Sequence, residues 1–132
     1  KVYSWEKLFP EEYIHFEMPT SDLYLYADRA QIEQVLINLL KNARETCERR
    51  TDKNIEIKFF SKGNPTFTIS DNGEGILPDV LDKIFVPFFT TKTSSSGIGL
   101  SLCKQIMTLH DGSINVKSEI GKGSCFILTF PK

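Results

Sequence analysis

Asn38 and Asn42 stand four residues apart in a stretch of otherwise apolar and charged residues. On a helix that spacing puts both amides on one flank. Asparagine is a mediocre helix former, and amides at the edge of an apolar stripe need partners. Neighbouring backbone is the ordinary partner. The chemical alternative is a hard cation such as Mg2+, which neutral carbonyl oxygens can hold beside phosphate groups. A second candidate is Asp71-Asn72-Gly73-Glu74-Gly75-Ile76. An acid at a strand end, followed by two glycines, lets the backbone approach a flat ligand closely. Its carboxylate can accept from an exocyclic amine, the donor that marks adenine. A plain turn accounts for the same residues. A third is Gly97-Ile98-Gly99-Leu100 after a run of serines, where free N–H groups at a helix start suit phosphate oxygens. A flexible helix cap is the plainer account. Leu102 occupies the place of the third glycine of a dinucleotide fingerprint, and Gly121-Lys122 is followed by Gly123, which excludes a Walker loop. Finally, Phe85, Phe88 and Phe89 precede a Thr/Ser-rich loop carrying Thr90, Thr91 and Lys92. They read either as core or as the fixed hinge of a mobile lid, with Lys92 bringing a positive charge to phosphates.

The elements that must carry these residues follow from hydrophobic period. Short strands are predicted over residues 13–17 and 23–27, and Asp28 can cap a long helix running to about residue 50. In it Ile32, Val35, Leu36, Leu39, Leu40, Ala43 and Cys47 recur at helical spacing. The period then changes to two for strands over 55–60 and 66–70, with a Ser-Lys-Gly-Asn-Pro turn between them. A short helix over 78–84, a helix over 99–110 and a closing strand pair over 113–118 and 124–130 complete the order. Interleaved helices and hairpins predict an α/β (α+β) two-layer sandwich, its mixed, largely antiparallel sheet covered by helices on one face.

The chain has 132 residues, of which 40% are hydrophobic and 25% charged. Those proportions fit one globular domain over 1–132, residues 1–20 being an edge segment. A net charge of −1 gives no case for a nucleic-acid partner, so an anionic ligand must be held by a few placed groups. No apolar run reaches the ~18–20 residues that span a bilayer. Cys47, Cys103 and Cys125 have no metal-ligand spacing and read as reduced thiols in a cytoplasmic compartment. The start at Lys1 suggests a piece of a longer protein.

Together the motifs resemble the catalytic, ATP-binding domain of bacterial sensor histidine kinases, a branch of the superfamily shared with gyrase, Hsp90 and MutL. The segment around Asn38 and Asn42 looks like the family's asparagine motif, and Asp71 to Ile76 like its first glycine motif. Residues 85–92 look like the phenylalanine motif, and Gly97-Ile98-Gly99-Leu100 like the second glycine motif. The Gly121-Lys122-Gly123 turn with Thr129 resembles the family's last strand. The resemblance implies that Asn42 binds the Mg2+ bridging the ATP phosphates, with Asn38 nearby. It implies that Asp71 accepts from the adenine amine, Gly73, Gly75 and Ile76 pack on the base, and Thr129 lies beside it. Gly97, Ile98, Gly99 and Leu100 would meet phosphates, and residues 90–96 would form a short lid.

Two departures carry information. Glu45 stands where many of these kinases have a basic phosphate contact, which leaves Lys92, Lys41 or Arg44 for that part. The ATP-hydrolysing cousins have a glutamate base four residues before the metal-binding asparagine. This chain has Asn38 there, and an amide cannot take a proton from water. The resemblance therefore implies phosphoryl transfer to a histidine on a separate dimerisation domain, in cis or trans, and indirectly to a response regulator. Neither His15 nor His110 is in acceptor context. An isolated domain is expected to be monomeric and cytoplasmic, whether or not its parent is a membrane-bound sensor. The alternatives are a stand-alone serine kinase of the anti-sigma type and a nucleotide-dependent binding module without transfer.

Overall fold

Asp28 starts the long helix as expected: its Oδ1 accepts the N–H of Gln31 at 3.0 Å, satisfying one of the free amides of helix α1 (Arg29–Thr46). The computed structural model describes residues 11–17, 28–81, 83–86 and 99–131, the side chains of Arg29 and Lys62 excepted. The strand expected over 23–27 lies outside them. The remaining elements are β1 (Ile14–Glu17), β2 (Ile55–Lys62), β3 (Asn64–Asp71), the short α2 (Pro78–Leu81), α3 (Gly99–Leu109), β4 (Ser113–Glu119) and β5 (Gly123–Thr129).

The strands form one sheet in the order β1-β2-β3-β5-β4. β1 runs parallel to β2 and every other pairing is antiparallel. Residues in register form rows across the sheet, and alternate rows face the helices. Phe16, Ile57, Ile69, Phe126 and Val116 make one helix-facing row, and Phe59, Phe67, Leu128 and Ile114 make the next. Against them pack Val35, Leu39, Leu40 and Ala43 of α1 and Cys103, Ile106 and Met107 of α3, all buried. Each of the larger side chains among them, Val35, Leu39, Leu40, Ile106 and Met107, contributes about 1.5–3 kcal/mol of hydrophobic stabilisation. The other face carries polar residues such as Lys58, Thr68 and Asn115. Among the described residues no helix is long and apolar enough to cross a membrane.

The structure departs from expectation in places that have local causes. The helix ends at Thr46 rather than near residue 50, because Arg50 N–H bonds to the Cys47 carbonyl at 2.9 Å while the Thr46 carbonyl takes Glu74 N–H at 3.3 Å. The β2–β3 connection is tighter than the expected loop. Gly63 alone adopts a left-handed φ of 82°, and Pro65 sits within β3 opposite Ser61, its carbonyl accepting Phe130 N–H at 2.9 Å. The short helix stops at Leu81, with turns over residues 83–85.

Candidate functional site

One helix-facing row is different. It runs Ile14, Ile55, Asp71, Ser124, Ser118 from β1 to β4. Asp71 and Ser124 are only 8% and 5% exposed, so an acid and a hydroxyl stand at the end of an apolar sheet face. The chain leaving Asp71 is secured on every side. Asp71 Oδ1 accepts Gly73 N–H at 2.8 Å. A Cβ on Gly73 would come within 2.6 Å of the Thr46 carbonyl oxygen, so only glycine lets this loop close on the end of α1. Gly75 has φ +81°, and a Cβ there would overlap the Glu119 carbonyl. Glu74 accepts Gly121 N–H at 3.0 Å, and Ile76 N–H donates to Ser118 Oγ at 2.8 Å. Asn72 braces the other side: its Oδ1 accepts Asn54 N–H at 2.8 Å and its Nδ2 donates to the Asp52 carbonyl at 2.7 Å.

Beneath this loop Cys47 is fully buried and its thiol donates to Asn72 Oδ1 at 3.5 Å. Burial raises its pKa first, and the negative charge of Asp71 raises it further.

From Thr46 the site runs back along α1. Asn42 is one turn earlier and Asn38 one turn before that, half-buried on the same flank. At 1.5 Å per residue, Asn38 and Thr46 are about 12 Å apart along the helix. Asn38 accepts Gln34 Nε2 at 2.8 Å and donates through Nδ2 to the Gly99 carbonyl at 3.4 Å. Its amide thus joins α1 to the start of α3, one turn from Asn42. Leu100, the next residue of α3, is half-buried against the core. Nearby, Cys103 donates to the Val35 carbonyl at 3.7 Å. Burial pushes its thiol up to about 12. Phe85 meets Phe126 edge-on with centroids 6.5 Å apart, and Lys104 Nζ lies 5.6 Å above its ring. The first residue of the phenylalanine segment is therefore anchored in the core.

The fold thus gathers Asp71, Gly73, Gly75, Ile76, Asn42, Asn38, Gly99 and Leu100 along the C-terminal half of α1. Lys92, Thr90, Thr91, Gly97 and Ile98 lie outside the described residues. Thr129 is not brought to this site. It pairs with Thr66 and Ser113 at the far end of β5, about 17 Å of strand from Ser124. Its odd place in the alternation also puts it on the face away from the helices. Ser124 holds the position beside Asp71 instead. Its signal in the sequence was the Gly123-Ser124 step, legible only once the β3–β5 register is known. Arg44 is turned from the asparagines as well: two residues past Asn42 is about 200° around the helix, and its guanidinium lies 3.6 Å from Glu11. His15 is exposed on β1. His110 is structural, its Nδ1 donating to the Ile106 carbonyl at 2.9 Å while Nε2 accepts Asp28 N–H at 3.0 Å.

Comparison with known proteins identifies the family and the fold. The profile of the "Histidine kinase-, DNA gyrase B-, and HSP90-like ATPase" family matches residues 27–132. The chain is 39% identical over 107 residues to the sensor histidine kinase ZraS of Salmonella typhimurium, covering 81% of this chain and 23% of that protein. Among solved structures, the catalytic domain of histidine kinase ThkA superposes with a TM-score of 0.82 at 36% identity, over 96% of this chain and 87% of that one. Full-length ShkA, solved in complex with AMPPNP, gives a TM-score of 0.77 at 25% identity, over 89% of this chain and 25% of that one. The chain therefore spans under a quarter of the length of ZraS. It belongs to the histidine kinase-, DNA gyrase B- and HSP90-like ATPase family, as a catalytic ATP-binding domain of the histidine kinase type.

Proposed function

We propose that this chain binds Mg-ATP and presents its γ-phosphate to a histidine supplied by a separate dimerisation domain. The observation that carries the reading is the state of Asn38. Its amide is engaged at both ends, by Gln34 and by the Gly99 carbonyl, and an amide has no basic lone pair for activating water. Water is then a poor nucleophile, and ATP is conserved for a better one.

We assign the other roles from the motifs these residues belong to. Asp71 takes the adenine amine, and Gly73 and Gly75 keep the backbone close to the base. The N–H groups from Gly97 to Leu100 are assigned to the phosphates. Among the described residues there is no cluster of three or more His, Cys, Asp or Glu able to hold a metal. A Mg2+ here is accordingly assigned to the Asn42 carbonyl oxygen and the nucleotide's own phosphates, a donor set of hard oxygens that suits this ion. Positioning and charge neutralisation supply most of the catalysis in such a transfer. Lys92 and Lys41 are the basic groups proposed to share the phosphate charge. Within a longer protein, the phosphohistidine would pass its group to a response regulator. We place the domain in the cytoplasm and expect it to be a monomer on its own.

The test is incubation with γ-labelled Mg-ATP, with and without a histidine-bearing helical hairpin from a sensor kinase. The expected result is label on the hairpin's histidine and little release of free phosphate. Rapid phosphate release without the hairpin, or label on a serine, would overturn this reading.

A further inference from the structure

Ser118 belongs to none of the glycine or asparagine motifs, yet it is the junction of the site's base end. Its Oγ lies 2.8 Å from Ile76 N, 3.1 Å from the Gly123 carbonyl oxygen and 2.9 Å from Ser124 Oγ. A hydroxyl has one proton and two lone pairs. The Ile76 N–H can only donate, so it occupies one lone pair. The Gly123 carbonyl can only accept, so it takes the Ser118 proton. The second lone pair is then left for the proton of Ser124. All three contacts are satisfied at once only in this arrangement.

The consequence falls on Ser124. Its single proton is turned toward Ser118, so its oxygen offers only lone pairs to whatever lies beside Asp71. Asp71 is its register partner on the same buried row, and directly opposed residues have Cβ atoms about 4.5–5.5 Å apart. An ionised carboxylate is also an acceptor only. The two side chains closing the row therefore form an edge that accepts and cannot donate.

We propose that Ser118 is a positioning residue that sets base specificity, holding Ser124 as an acceptor so that the site takes the exocyclic amine of adenine and refuses the corresponding carbonyl of guanine. This rests on the reading of the site as an ATP site. Without Ser118 the Ser124 proton is free to turn outward and donate to a guanine carbonyl. Ser118 is half-buried near the end of β4, so Ser118→Ala removes one hydroxyl from a position that already meets solvent.

The experiment is calorimetric titration of the 132-residue chain with Mg-ATP and Mg-GTP, comparing wild type, S118A, S118T, S124A and the S118A/S124A double variant. S118A is expected to reduce the ATP-over-GTP preference about tenfold, the equivalent of one hydrogen bond, and S118T to restore it. The double variant should show the same preference as S124A alone, because Ser118 acts through Ser124. Equal weakening of both nucleotides in S118A, no change in either, or additive losses of preference in the double variant would overturn the proposal while leaving the ATP site standing. Should S118A fail to fold, S124A decides: an unaltered preference there overturns it. A wild-type chain that binds neither nucleotide would instead overturn the reading of the site itself.

Discussion

At its base end the site ties the Asp71 loop to α1, to the segment before β2 and to the β4–β5 hairpin, through Thr46, Asn72, Ser118 and Gly121. At the end proposed to meet phosphates, Asn38 donates to the Gly99 carbonyl at 3.4 Å and Cys103 to the Val35 carbonyl at 3.7 Å, two of the bonds that join α1 to α3. One end is built from interlocking bonds around a glycine-bearing loop. The other presents an amide, Asn42, one helical turn from the Asn38 that meets the start of α3. Under the proposed function, the difference separates recognition from chemistry. A loop ordered before the ligand arrives loses little entropy on binding, which suits selection of a base. Transfer of a phosphoryl group needs a charge-neutralising centre that the nucleotide itself helps to assemble.

That division is broken most directly by substituting one residue at each end. If Asn42 holds Mg2+ as proposed, Asn42→Ala is expected to lower phosphotransfer to an added histidine hairpin by about a hundredfold or more, since such a contact stabilises the transition state by several kcal/mol. Metal-free adenosine binding should be unaffected. Asp71→Asn should do the opposite, weakening adenosine about tenfold or more, as for loss of a hydrogen bond to a charged group, with the Mg2+ dependence of ATP binding retained. Calorimetry with and without Mg2+ checks both. If either variant moved both measurements equally, the two ends would be one unit.

The next contrast lies within the base end. Gly75 and Gly121 share almost the same left-handed φ, +81° and +83°, but a side chain at Gly75 would meet the Glu119 carbonyl while one at Gly121 would meet nothing within 4 Å. Gly121→Ala should cost about 1 kcal/mol for the backbone strain alone. Gly75→Ala adds steric overlap with backbone that cannot move aside, and should cost at least about 2–3 kcal/mol more. It should also loosen ATP binding, because Ile76 and its bond to Ser118 must shift. Chemical denaturation of the two variants measures the difference. Equal losses would mean that the loop is not packed as tightly on β4 as its contacts indicate.

These elements also show what local sequence can and cannot disclose. The α1 stripe and the two strand hairpins are legible because they depend on period, capping and turn chemistry within a few residues, and the proposed site residues Asn38, Asn42, Asp71 and Gly99 are named from local motifs of the same kind. The early end of α1 was not legible, since it depends on Glu74 taking the Thr46 carbonyl from 28 residues away. The assignment of Thr129 failed for the same kind of reason. Which residue of β5 stands beside Asp71 is decided by a cross-strand register, and a slip of one position would reverse every side chain on the strand. Ser124 and Ser118 enter the site only through that register.

The smallest expected effect uses the thiols, one at each end: Cys47 under the base loop and Cys103 beside Asn38. Both are fully buried, and burial raises both, Cys103 to about 12. In the unfolded chain a cysteine ionises near pH 8.5. Between that value and about 12 the unfolded state has released a proton that the folded state still holds. The folded state then binds more protons, so stability present below about pH 8.5 is lost as pH rises. Thermal unfolding from pH 8 to 10.5 should show a fall in Tm of a few degrees. Cys103→Ala should flatten the slope while leaving a remnant from Cys47, whatever the variant's absolute stability. Saturating ATP should protect both thiols from alkylation, with Cys47 following adenosine and Cys103 following only the full Mg-nucleotide, if the two ends respond to different parts of the ligand. A slope unchanged by Cys103→Ala would mean that ionisation elsewhere governs alkaline unfolding.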